Sequence, residues 1–396
     1  MTQTTLHTDI VIIGAGIAGL WLHHRLNDMG IHALLIENGQ IGQGQTLSSQ
    51  GIIHGGSKYA LNGVLSKAAQ VISTMPARWK NALNGEGDID LRNVEKLADH
   101  QLLWSKDKLS SKMVSFFASK ALSSRMQRVD KRDAPALFQD AGFKGTLYQL
   151  DEPVLDIPSL LKKITAKWRS RMLSVPSNSQ YQWQRSGQQL ESVQVGDITI
   201  HAQQFMLTAG EGNEALLQSL SIKQPSMQRR PLQMVLCKSQ NPNQPLPTIY
   251  AHSLGSGSKP IATISSHKTQ QGDTVWYIGG NIAEEGVAKS QENLITEAKQ
   301  LLNNILPWFE LPALDWATHA VNRAEPKQSN LTRPDHAFID SQQNLHICWP
   351  TKLALAPDLA DQVLKAINVD AIEKRSYDNP DFPHPEIAKP LWDRVF

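Results

Sequence analysis

The chain has 396 residues, is 40% hydrophobic and 19% charged, and carries a formal net charge of +2. Its length suggests about two domains, and its near-balanced charge gives no field that argues for nucleic acid. Two cysteines, Cys237 and Cys348, exclude a disulfide framework or a Cys-x-x-Cys redox pair and suit a reducing compartment.

The apolar run Ile10–Ile13 reads as a buried parallel strand. Gly14-x-Gly16-x-x-Gly19 follows at once, then a helical pattern through Leu20, Leu22, Leu26 and Met29 that Gly30 ends. A second apolar strand, Leu34 to Ile36, finishes on Glu37. Gly14 allows a tight turn, Gly16 lets backbone approach a pyrophosphate, and Gly19 lets helix and strand pack closely. The helix N-terminus, from Ile17 and Ala18, offers free N–H groups and a positive dipole end to phosphates. Glu37 stands where a carboxylate accepts hydrogen bonds from a ribose, so the unit predicts dinucleotide binding. Only eight residues precede Asp9, too few for a signal peptide. No apolar run reaches about 18 residues. A cytoplasmic enzyme is therefore expected, with peripheral membrane contact left open.

From Gly39 to Tyr59 the chain is dense in glycine and small hydroxyls, with one histidine, His54. Such a loop hugs a ligand. Gly51 would permit close backbone approach, and Thr46, Ser48 and Ser49 can reach phosphate oxygens. The alternative is a surface loop rich in turn formers. The opening motif, with Ser48-Ser49 and Ile52-Ile53-His54-Gly55-Gly56-Ser57-Lys58-Tyr59, resembles the D-amino-acid oxidase superfamily of FAD enzymes. The His-Gly-Gly block most resembles the branch holding glycerol-3-phosphate dehydrogenases and L-2-hydroxyglutarate dehydrogenases, where it passes beside the flavin ring. The resemblance implies FAD, rather than NAD, as the dinucleotide, and implies no metal site.

Residues 61 to about 145 read as mostly helical, with apolar positions at Val64, Leu65, Ala68, Val71 and Ile72. A basic stretch from Lys106 to Arg132 interleaves Met113, Val114, Phe116, Phe117 and Leu122. It reads either as a face lying on anionic lipid, where a quinone could collect electrons, or as a helical cap with a solvated side. Asp107, Asp130 and Asp133 dilute its charge and favour the second. Asp156 is expected to cap a helix running to about Met172, with Pro158 in its first turn. Tyr181–Trp183, Leu190–Val195, Ile198–Ile200 and Gln204–Thr208 read as strands. The last runs into Ala209-Gly210, which resembles the superfamily's second phosphate-side signature.

From Arg229 the pattern turns to β, with Leu232–Cys237, Thr248–His252, Ile261–Ser265 and Thr274–Ile278 separated by turn residues. A helix from Gln291 to Ile305 stops before Pro307, and a strand from Leu314 to Asn322 ends at Arg323. The last core unit is a strand from Leu345, the segment Pro350-Thr351-Lys352-Leu353, and a helix from about Asp358 to Ile367. In the superfamily this helix points at the flavin pyrimidine edge. The glycerol-3-phosphate branch carries Gly-Gly-Lys-Leu here. This chain keeps Lys352 and Leu353 and lacks both glycines. The proline-rich tail reads as extended, either packed over the surface or dangling.

The expected fold class is α/β. A Rossmann-like FAD-binding domain would use residues 1–80, 145–225 and 330–372. A discontinuous α+β substrate domain with an antiparallel sheet would use 81–144 and 226–329, leaving 373–396 as the tail. The implied reaction is hydride transfer from a small anionic 2-hydroxy acid or polyol phosphate to flavin, then to oxygen, quinone or a protein. Such a reaction needs a base, and His54 is the candidate that the resemblance places by the ring. A structural role, or a covalent bond to flavin, are its alternatives. An anionic substrate needs a cation: Arg323 first, then Arg333 and Arg230, each weighed against a surface salt bridge. Lys352 could stabilise charge on reduced flavin. His336 is a turn or surface residue before it is a site residue, and Cys348 a buried hydrophobe. Tyr59 and Tyr277 are possible pocket walls. An amine or amino-acid oxidase on the same fold, an NAD enzyme, and a non-catalytic flavin-binding subunit are the competing readings.

Overall fold

A computed structural model describes residues 4–56, 67–106, 126–255, 260–329, 334 and 336–396. Its first sheet has six strands in the order Phe338–Gln342, Leu345–Trp349, Gln204–Leu207, Ile10–Ile13, Ala33–Glu37 and Met172–Ser174. All neighbours pair in parallel except the edge strand Phe338–Gln342. Alternate residues divide between two cores, as the period of a strand requires. Ile10, Ile12, Leu35 and Met206 face a helical layer made by Ile17–Asp28, Lys67–Asn84, Ile157–Ala166 and Ala356–Ala366. Val11, Ile13, Leu34, Ile36, Phe205 and Leu207 face the other way, onto a four-stranded sheet through Leu6, Val193 and Ile200. A sheet covered on both faces accounts for the unbroken apolar runs in the sequence.

The second large sheet has eight strands: Leu314–Pro326, Met227–Ser239, Thr274–Gly279, Pro260–Lys268, Tyr250–Leu254, Gln101–Ser105, Thr146–Leu150 and Met126–Arg128. Its pairings are antiparallel apart from Tyr250–Leu254 with Gln101–Ser105. The helix Gln291–Ile305, capped by Ser290, packs Leu294, Ala298 and Leu302 against one face. The opposite face, with Met234, Leu236 and Tyr277, turns toward the carboxyl ends of the parallel strands. Crevices at those ends are where open α/β sheets bind ligands.

Three expectations need correction, and one alternative is decided. The described part of residues 61–145 is not mostly helical. Among the described residues they hold the helix Lys67–Asn84, the short helix Ala136–Gln139, and strands at Lys96–Ala98, Gln101–Ser105 and Met126–Arg128. Gln101–Ser105 is buried by pairing with two partners, which no local pattern announces. The helix that Asp156 caps, through Ser159 N–H at 2.8 Å, ends at Ala166, and Met172 begins a strand of the parallel sheet. Arg323 lies inside the strand Leu314–Pro326, not at its end, because the register continues to Met227 opposite Pro326. Of the two readings of the tail, the packed one holds. Ile387 bridges Ile41, Ser174 N–H donates to Pro383 O at 2.7 Å, and Trp392 is buried against the eight-stranded sheet.

Val64 and Leu65 lie outside the described residues, as does most of the basic stretch, 107–125. Among the described residues no helix is long and apolar enough to cross a membrane.

Candidate active site

The glycines of the motif have neighbours both near and far along the chain. Gly14 has φ +108°, and a Cβ there would lie 2.5 Å from Ala209 Cα. A Cβ on Gly19 would lie 2.1 Å from Gly14 O. Gly16 differs: among the described residues a Cβ there would meet Thr46 Oγ1 alone, at 3.6 Å. No atom of the described residues forbids a side chain at Gly16, so the space beside it is open to a ligand. Thr46 Oγ1 also accepts from Ile17 N–H, at 3.0 Å, at the start of the first helix.

Glu37 ends its strand beside this turn. Its Oε2 accepts from Ala15 N–H at 2.7 Å and its Oε1 from Gly39 N–H at 2.8 Å. Burial raises its pKa, and these backbone donors oppose the rise. A carboxylate has about four acceptor positions, so ribose hydroxyls can still be received. Gly14, Gly16, Ile17, Ala18 and Glu37 all border one cavity of ≈ 1040 Å³. The residues therefore fit an ADP-bearing dinucleotide.

Beyond the ribose end, the cavity runs along the loop from Asn38 to His54 and reaches the eight-stranded sheet. Thr46, Ser48, Ser49 and His54 line it, and so do Ala209, Gly210, Lys352, Leu353 and Arg323. Gly19 and Gly51 do not line it. Gly51 has φ +72°, and a Cβ there would strike Leu155 O at 2.2 Å, so it serves packing. Ser49 Oγ donates to Thr46 O at 2.8 Å, closing a turn. Side-chain hydrogen bonds pin the loop to the sheet. Tyr277 hydroxyl donates to Ser48 O at 3.0 Å, and Gln50 Nε2 donates to Tyr277 O at 2.9 Å.

His54 lines the cavity with 43% of its side chain exposed, and its Nδ1 lies 3.4 Å from Glu152 Oε2. Arg323 also lines the cavity, its Nε donating to Arg230 O at 3.1 Å and its guanidinium 3.7 Å from Glu284. Arg230 is committed elsewhere, to a two-bond pair with buried Glu325 at 2.8 and 2.9 Å. Arg333 and Tyr59 lie outside the described residues. His336 is exposed and borders no part of the cavity. Tyr277 is fully buried behind Ser48 rather than on the wall. Burial pushes the thiols of Cys237 and Cys348 up, as expected of inert core residues.

His319 is a cavity residue that the motifs do not announce. It shares a strand face with Val321 and Arg323, since side chains two apart point alike, and its Nε2 lies 3.0 Å from Ser48 Oγ. Burial and the charge of Arg394 lower its pKa. The alternation His319, Val321, Arg323 is the signal that could have found it.

Comparison with known proteins agrees with this geometry. Residues 9–348 match the family model DAO, described as FAD dependent oxidoreductase. The Pseudomonas aeruginosa (strain PAO1) protein named "Probable FAD-dependent oxidoreductase PA4991" is 45% identical over 393 residues, covering 99% of each chain. Its crystal structure superposes with a TM-score of 0.87 at 41% identity, over 100% of this chain and 99% of that one. A glycine oxidase from Geobacillus kaustophilus (TM-score 0.62, 14% identity, 94% and 97% covered) shares the fold. So does an L-alpha-glycerophosphate oxidase from Mycoplasma pneumoniae (TM-score 0.64, 11% identity, 97% and 99% covered). The chain belongs to the DAO family of FAD-dependent oxidoreductases, with FAD as its cofactor.

Proposed function

We propose that the enzyme oxidises a small anionic 2-hydroxy acid or polyol phosphate, and that Arg323 on the cavity wall is the observation that carries this reading. FAD, when bound, supplies the hydride acceptor. Arg323 receives the carboxylate or phosphate with a planar donor fork and so orients the C–H bond. His54 takes the hydroxyl proton. Lys352, on the segment that leads into the helix Ala356–Ala366, lends positive charge to the cofactor end of the cavity. The cofactor domain of this reading is 1–80, 145–225 and 330–372, and the substrate domain is 81–144 and 226–329.

The Pro350-Thr351 segment supports the hydroxy-acid reading. Thr351 holds φ +59°, a left-handed backbone that favours glycine, at a position where that branch carries one. The fold itself is shared with proteins named for glycine and for glycerophosphate and does not discriminate.

The test is anaerobic flavin bleaching by a panel of 2-hydroxy acids, glycerol phosphates and amino acids, followed by reoxidation with oxygen or a quinone. Bleaching by a hydroxy acid or polyol phosphate is expected. Arg323→Gln should raise the half-saturating concentration about 10²-fold, as loss of charged hydrogen bonds implies. His54→Ala should slow bleaching by roughly 10²–10⁴-fold. Bleaching by amino acids alone would transfer the enzyme to the amine class. No bleaching by any of them would favour a flavin-binding subunit.

A further inference from the structure

We propose that Glu152 is a positioning residue that holds His54 as the Nδ1–H tautomer, which keeps Nε2 a proton acceptor. The proposal rests on the role given to His54 above.

Glu152 follows the strand Thr146–Leu150 in a tight turn, its N–H donating to Leu150 O at 2.7 Å. That turn sets its carboxylate beside Gln101, whose Cα partner in the sheet is Leu150. The carboxylate is buried. Its Oε1 accepts from Gly55 N–H at 2.7 Å, and its Oε2 accepts from the Gln101 amide and faces His54 Nδ1 at 3.4 Å; Gln101 Nε2 also lies 3.5 Å from Nδ1, and the nearer, charged acceptor sets the place of the ring proton. An ionised carboxylate only accepts hydrogen bonds, so each of these partners must present a donor.

Gln101 shows that this demand is obeyed. The residue is fully buried, and its Oε1 has no hydrogen-bond partner among the described residues. A stranded acceptor costs about 1–3 kcal/mol. The amide bears that cost and keeps its NH₂ on the carboxylate. The same demand on the imidazole places the proton of its neutral form on Nδ1, leaving Nε2 without one. On another side the ring stacks on His252, with centroids 5.6 Å apart and planes at 17°, and His252 Nδ1 lies 2.6 Å from Thr263 Oγ1. Nδ1 is engaged at the buried carboxylate, so the exposed part of the ring is the part that can meet a substrate.

Glutamine at position 152 would exchange one acceptor for a donor. With its oxygen kept on Gly55 N–H, its NH₂ would face Gln101 and His54. The Gln101 amide would turn over, and His54 Nδ1 would have to accept, moving the proton to Nε2.

Long-range ¹H–¹⁵N spectra of the FAD-loaded protein with labelled histidine read this directly, at a mildly alkaline pH. His54 is assigned by the signals missing from His54→Ala. The wild type should show protonated-type Nδ1 and unprotonated-type Nε2, and Glu152→Gln should exchange the two. Gln101→Ala leaves the carboxylate in place and should keep the wild-type pattern. A wild-type ring protonated on Nε2, or a Glu152→Gln spectrum unchanged from wild type, would overturn the proposal. Should Glu152→Gln fail to fold, the wild-type and Gln101→Ala spectra still decide it. The role of His54 itself fails separately, if His54→Ala bleaches at the wild-type rate whatever the tautomer.

Discussion

Gly16 and Gly19 sit three residues apart in one motif and answer to different neighbours. Gly19 is closed in by Gly14 O and Thr208 Oγ1, whereas Gly16 has, among the described residues, only Thr46 Oγ1 near it. Gly19→Ala should therefore damage the fold, because its methyl group cannot coexist with a carbonyl at 2.1 Å. Gly16→Ala should fold with its melting temperature within a few degrees of wild type and lose bound flavin. Thermal unfolding of the apoproteins beside flavin absorbance of the purified pair checks both. Equal flavin content in wild type and Gly16→Ala would refute the assignment of that space to the cofactor. The glycines and Glu37 were legible in the sequence because their mechanics are local: a turn, a helix start and a strand end within one βαβ unit. His319 and Glu152 were not, because strand register brings them to the site. Ser48 and His319 are 271 residues apart in the chain, and His54 and Glu152 are 98 apart.

The segment from Trp349 to the helix Ala356–Ala366 takes a left-handed backbone at a residue other than glycine. Thr351 adopts φ +59°, an outlier for a β-branched residue. Its Oγ1 donates to His336 O at 3.0 Å, which helps to hold it there. Backbone strain of this kind costs about 1–3 kcal/mol, against about 1 kcal/mol for the hydrogen bond and about 0.5–1 kcal/mol for glycine's extra freedom. Thr351→Gly should then be close to neutral or slightly stabilising. Thr351→Val, which keeps the strain and loses the bond, should cost about 1 kcal/mol. Denaturant titration of both variants measures the difference, and a loss above about 2 kcal/mol in Thr351→Gly would contradict the strain argument. Other elements escaped the sequence for a related reason. Gln101–Ser105 and Met172–Ser174 are short, and their strand character comes from partners, Thr146–Leu150 and Ala33–Glu37, that a local pattern does not contain. The long periodic helix Gln291–Ile305, by contrast, was legible to the residue.

At the scale of the whole molecule, residues 383–396 tie the two large sheets together. Pro383, Glu386 and Ile387 bond along the first sheet and its loop, and Trp392 stacks on His267 of the second with ring centroids 3.9 Å apart. Burial depresses the His267 pKa from 6.5 to about 3, so in acid the unfolded chain binds a proton that the folded chain does not. The stability this ring contributes is complete above pH 6.5 and is lost as pH falls toward about 3, at about 1.4 kcal/mol per unit. His267→Phe keeps an aromatic ring against Trp392 and removes the titration. Wild type should lose about 2 kcal/mol more than this variant between about pH 7 and about pH 5. Denaturant unfolding at the two pH values is the measurement, and parallel losses would show that His267 does not titrate on unfolding. His23, His32 and His346 are held low by burial as well, so acid sensitivity persists in the variant.

The packing of Gly14 on Ala209, with Ile41 N–H bonded to Glu386 O, has a consequence for anyone who would borrow the cofactor motif. Residues 9–56 resemble a portable cassette, yet their turn is propped by one distant strand and their loop is stapled by another distant segment. Grafted alone onto a foreign scaffold, they would bring the glycines without the walls that give those glycines their shape.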